Sequence, residues 1–128
     1  MDKKLIVAGA VFGATSIVLG AFGAHALKEK LPATTLAVFE TGVKYQMYHA
    51  LFLLFAGIVL SISASAKNAI FWLTTIGVIF FSGSIYLLSC QTLFGIDFKF
   101  LGPVTPIGGL LLIAAWIVLL LNILKVKR

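Results

Sequence analysis

Four long apolar blocks, parted by short charged or turn-rich gaps, take up nearly the whole chain: roughly Leu5 to Leu27, Thr41 to Ala66, Ala69 to Leu93 and Pro106 to Leu124. Each is about the 20 residues that a helix needs to cross about 30 Å of hydrocarbon. The pattern predicts an all-α fold, an integral membrane bundle of four transmembrane helices that makes a single domain over residues 1–128. Pro32, followed by Ala33, Leu36, Ala37 and Phe39 at helical spacing, adds a short interfacial helix between the first two spans.

Within the first block, Gly9, Gly13, Ser16, Gly20 and Gly23 project within about 80° of one another at about 100° per residue. Such a seam lets another backbone approach closely, so that van der Waals contact replaces the hydrophobic drive that lipid removes. It serves either helix packing within the chain or an interface between copies. Lys3-Lys4 ahead of an apolar run ending in Ala24-His25-Ala26 has the outline of a secretory leader, but the run is longer than a usual leader core. It is therefore read as the first span.

The second block is different. Glu40, Thr41, Lys44, Tyr45, Gln46, Tyr48 and His49 cover about two thirds of the helix circumference, which is far too much polarity to face lipid. Glu40 and Lys44 stand four apart with the acid first, the favourable order for a helical ion pair. In the third block Ser82, Tyr86 and Ser89 form a hydroxyl stripe suited to interhelical hydrogen bonds, and His49 is expected to bond Tyr86 or Ser82. Ser61 to Asn68, carrying Lys67, reads as a tight turn, and Trp72 as an interfacial aromatic. Thr105-Pro106 reads as a hydroxyl cap followed by proline at the first helical position, and Gly108, Leu112, Ala115 and Asn122 share an inward face of the last helix.

Composition agrees: 61% hydrophobic and 11% charged residues could not cover a water-soluble globule of this size. The formal charge of +6 lies at span ends, where cations meet headgroups, so membrane lipids and no nucleic acid are the expected partners. Lys3, Lys4, Lys67, Lys125, Lys127 and Arg128 fall on one side and Lys28, Lys30, Lys44 and Lys99 on the other, which favours both termini in the cytoplasm. Cys90 has no second thiol to pair with.

Candidate chemistry is sparse. His25 and His49 would differ in depth by about 10 Å in an antiparallel hairpin, too much for a haem held between two imidazoles unless a helix shifts. No acid or thiol cluster supports a metal, and no base and carboxylate share a face with a serine, so neither metal, cofactor nor enzymatic activity is expected. A proton-coupled exporter needs a membrane-buried carboxylate, for which Glu40, at a span boundary, is the sole candidate.

Gly20-Ala21-Phe22-Gly23-Ala24-His25-Ala26, Tyr45-Gln46-Met47-Tyr48-His49, Phe81-Ser82-Gly83-Ser84-Ile85-Tyr86 and Thr105-Pro106-Ile107-Gly108-Gly109 together resemble the bacterial membrane family catalogued as domain of unknown function 423, related to eukaryotic transmembrane protein 256. The resemblance implies a small four-helix protein of the bacterial cytoplasmic membrane, in a family with no established activity. Two functional readings follow. One is a structural or accessory component that packs with itself, as a homo-oligomer, or with a larger membrane complex. The other is a lipid or small-molecule binding or transport module built on Glu40, Lys44, Tyr45, Gln46, Tyr48 and His49, with His25, Ser82 and Tyr86 nearby.

Overall fold

The computed structural model describes residues 2–126 and is helical, without strands among those residues. Helix α1 runs Lys3–Phe22 and continues as a π-helical turn, Gly23–Leu27. Helix α2 spans Ala33–Ile58. Helix α3 begins as Ala64–Val78, widens into a π-helical stretch over Ile79–Gly83 and resumes as Ser84–Ser89. A single turn, α4 (Gln91–Phe94), and a 3-10 turn at Lys99–Leu101 lead to α5, Val104–Leu124.

The ends of these helices follow from short polar residues. Asp2 accepts from the backbone N–H of Lys4 at 3.1 Å and of Leu5 at 3.4 Å, satisfying donors that the first turn leaves free. Its own N–H donates to the Gly57 carbonyl at 2.8 Å, which ties the start of α1 to the end of α2. Ser63 caps α3 by accepting from Ala66 N at 3.2 Å. Gly95, at φ 66°, closes α4 in the left-handed conformation that glycine tolerates best.

Consecutive long helices pack antiparallel, α1 along α2 and α3 along α5, with α2 and α3 joining the pairs. Glycines set the close approaches. A Cβ at Gly9 would stand 2.8 Å from the Ala50 carbonyl, and one at Gly23 would stand 3.0 Å from the Phe39 ring. Gly20 faces Val43, Gly13 faces Ala50, and Ser16 is buried, so the seam of α1 is filled by α2 of the same chain. Gly108 lies directly against the Phe81 backbone N. One core cluster gathers Leu5, Phe52, Leu53, Ala56, Ile70 and Ala115 near the chain ends; a second gathers Leu27, Leu31, Phe39 and Cys90 at the opposite end.

Several sequence-based expectations change. Three helical stretches, Lys3–Leu27, Ala64–Ser89 and Lys99–Leu124, are long and apolar enough to cross a membrane. The 26-residue α2 is long enough, but the polar residues of its first half keep it out of that set. No separate interfacial helix exists: Pro32 opens α2 itself, and Phe39 is buried instead of resting on headgroups. The turn between α2 and α3 is residues 59–63, not Ser61 to Asn68, because α3 starts at Ala64. Lys67 consequently sits inside α3, buried, with Nζ 3.4 Å from the Gly57 carbonyl at the negative end of α2. Thr105 does not cap α5, which begins at Val104; its hydroxyl meets Ser84 Oγ at 2.5 Å instead. Gly108, Leu112 and Ala115 are buried as the face predicts, whereas Asn122 is half-buried and bonds Ser63 at the helix end. Lys127 and Arg128 lie outside the described residues.

Candidate functional site

The polar first half of α2 parts into an inward and an outward set. Gln46, only 4% exposed, donates through Nε2 to the Phe12 carbonyl at 2.9 Å and to Thr15 Oγ1 at 2.7 Å, while its Oε1 accepts from the Tyr86 hydroxyl at 2.6 Å. One amide thus fastens α1, α2 and α3 together. An unmade bond at such a site costs the desolvation of the group, so full satisfaction is what permits a glutamine there.

His49 is also buried, and both ring nitrogens are engaged. Nδ1 lies 2.7 Å from the Tyr45 carbonyl, and Nε2 lies 3.0 Å from Trp116 Nε1 on α5. A carbonyl can only accept and an indole N–H can only donate, so the proton sits on Nδ1, Nε2 offers its lone pair, and the ring is neutral. His49 therefore bonds neither Tyr86 nor Ser82. Ser82, buried, donates to the Gly42 carbonyl at 2.7 Å, and Tyr86 is taken by Gln46. Ser89, the third member of the stripe, is buried with its hydroxyl unpartnered.

Glu40, Lys44 and Tyr48 point outward and are exposed. Glu40 and Lys44 border a groove of about 280 Å³ between α1 and α2, closed by Gly20, Ala24, Phe39 and Val43. Tyr45 is 41% exposed and turns the other way, with its ring 5.0 Å from that of Phe81. It shares with His49, Phe81 and Trp116 the wall of a second hollow, of about 330 Å³. The expected face is consequently divided between two hollows and a buried network. His25, on the π-helical end of α1, is exposed and forms no part of either hollow. Among the described residues no three metal-binding side chains come together. Burial pushes the Cys90 thiol, just beyond the end of α3, above its ordinary pKa.

Two participants escape the sequence reading. Thr15 lies beside the glycine seam and looks like one more small residue. Trp116 stands near the middle of an apolar helix, where an indole N–H needs a partner because no water or headgroup is at hand; its depth was the available signal.

Residues 19–109 match the family described as protein of unknown function (DUF423). The chain belongs to that family. It is 42% identical over 123 residues to a UPF0382 membrane protein of Staphylococcus haemolyticus, covering 96% of this chain and 97% of the relative. A UPF0382 membrane protein of Bacillus subtilis is 40% identical over 126 residues, covering 96% and 98%. No solved structure matches. This DUF423 chain is a membrane protein of an uncharacterised bacterial family, and lipid is its surrounding solvent.

Proposed function

We propose that this protein is a four-span bundle of the bacterial cytoplasmic membrane, with both termini in the cytoplasm, acting as a structural or accessory component of a larger membrane assembly. Support for the fourth span is the length of α2 and the burial of Gln46 and His49, which takes two of its polar side chains away from lipid. Support for the orientation is the basic end formed by Lys3, Lys4, Lys67 and Lys125, where Lys4 Nζ reaches Asn68 Oδ1 at 2.5 Å. No catalytic group is assigned to it.

The observation that carries the accessory role is the exposed ridge Glu40, Lys44 and Tyr48, each four residues after the last on one side of α2. Polar groups at that depth meet a partner helix, a second copy or headgroups, since hydrocarbon leaves them unsatisfied. The ridge borders the α1–α2 groove, which gives a partner helix shape as well as polarity. A photo-crosslinking amino acid at Tyr48, activated in native membranes, should give one discrete protein adduct. Adducts with lipid alone would refute the reading.

A second reading, in which the chain binds a lipid or small molecule, draws its support from the hollow beside Tyr45 and His49 rather than from the ridge.

A further inference from the structure

Tyr45, His49, Phe81 and Trp116 ring a cavity of about 330 Å³ between α2, α3 and α5, with Gly109, Leu112 and Ile113 completing the wall. Tyr45, Ile113 and Trp116 at its rim are 41%, 59% and 47% exposed, so it opens on the bundle surface partway along the helices. Two features of the backbone create it. The π-helical turn at Ile79–Gly83 displaces Phe81 from a regular helical position, and such widened turns recur at functional sites. Gly108 then presses α5 against the Phe81 backbone, while a Cβ at the next residue, Gly109, would only just touch the Phe81 ring, at 3.7 Å. A larger side chain at residue 109 would fill the hollow.

The polar inventory of the wall is short. The imidazole of His49 and the indole N–H of Trp116 are committed to each other and to the Tyr45 carbonyl. Among the described residues the Tyr45 hydroxyl has no hydrogen-bond partner, which makes it the one uncommitted donor, and no charged side chain lines the cavity. Four rings and one donor suit a flat, apolar ligand bearing an acceptor oxygen. A cation is the rival, since aromatic walls attract ammonium groups. Placing a charge inside a bilayer costs more than a ring face typically returns to a cation, and no carboxylate lines the cavity to offset the difference, so the neutral ligand is favoured. About 150 Å³ suffices to hold a benzene ring, and thus this cavity takes a head of one or two fused rings but not a whole lipid.

The geometry points to a binding site for a neutral, lipid-soluble ring compound carrying a carbonyl oxygen, a quinone-type head group whose tail stays among the acyl chains. Its ring lies against Tyr45, Phe81 and Trp116, and its oxygen accepts from the Tyr45 hydroxyl. The inference rests on the second reading above, that this hollow holds a ligand, and is independent of the α2 ridge.

The test is a titration of the purified protein in lipid nanodiscs with menadione, a methylated naphthoquinone, following Trp116 fluorescence in a Trp72→Phe background. Saturable quenching is expected. Tyr45→Phe should weaken it about threefold to tenfold, the loss of one hydrogen bond, and Gly109→Leu by at least about tenfold, with Tyr48→Phe unchanged. Quenching that rises without saturating, or saturates equally in both cavity variants, overturns the proposal; if Gly109→Leu fails to fold, the Tyr45→Phe result decides. Decyltrimethylammonium is titrated in parallel. Should that cation bind in a Gly109-dependent way and menadione not, the ring-compound class is wrong and the ligand reading survives; should neither bind, both fall.

Discussion

Trp116 on α5 donates its indole N–H to Nε2 of His49 on α2 across 3.0 Å, and the two rings meet nearly edge to face at 82°. The bond spans helices 67 residues apart in sequence and fixes which imidazole nitrogen carries the proton. Trp116→Phe keeps an aromatic wall but removes the donor. Thermal unfolding in mild detergent should register a loss of about 1 kcal/mol, within the range for interhelical bonds in membranes. Nitrogen NMR of the His49 ring should find the proton on Nδ1; a proton on Nε2 would contradict the arrangement.

Gln46 is the larger lever because its amide serves three partners. Gln46→Leu should destabilise by about 1–3 kcal/mol, and Tyr86→Phe by less. Since they share one bond, the double variant should lose less than the sum of the singles. Strict additivity in a double-mutant cycle would mean that the Tyr86–Gln46 bond contributes nothing.

Two glycines of one seam should behave in opposite ways. Alanine at Gly9 would bring a methyl to 2.8 Å from the Ala50 carbonyl, which forces α1 and α2 apart, whereas alanine at Gly13 finds an ordinary 3.7 Å contact. Gly9→Ala should lower the melting temperature clearly, and Gly13→Ala should leave it unchanged or raise it through the better helix propensity of alanine. Equal effects would show that α1 does not lie on α2 in this register.

Lys67 places a buried cation at the carbonyl end of α2. Lys67→Glu would set a negative charge against that end and should cost about 2 kcal/mol or more, while Lys67→Met, which keeps the stem, should be tolerated. Comparable losses from both would mean that the lost ammonium group, and not the added negative charge, sets the cost.

What the sequence discloses, and what it hides, follows from periodicity. Gly9 through Gly23 repeat at helical spacing, so their common face is visible without coordinates, and so is the polarity of the first half of α2, but which of its side chains turns inward is not, and Tyr86 goes to Gln46 instead of His49. Proline at 32 and lysine at 67 mislead for one reason: each looks like punctuation between helices, yet Pro32 is the start of α2 and Lys67 lies in the first turns of α3. The π-helical turns leave no mark in composition, and the cavity around Phe81 depends on one of them. Pairing of His49 with Trp116 is a choice among several donors and acceptors that helical spacing cannot make.

The central claim is that α2 crosses the membrane, with Gln46 and His49 turned into the bundle and the Glu40, Lys44 and Tyr48 ridge left on its outer side. Replacing Cys90 by alanine and placing single cysteines at Lys30, before α2, and at Ser61, after it, allows each to be labelled from one side of intact cells with a membrane-impermeant maleimide. The account predicts labelling of the residue 30 cysteine from outside and protection of the residue 61 cysteine until the membrane is opened. Labelling of both from the same side would contradict it.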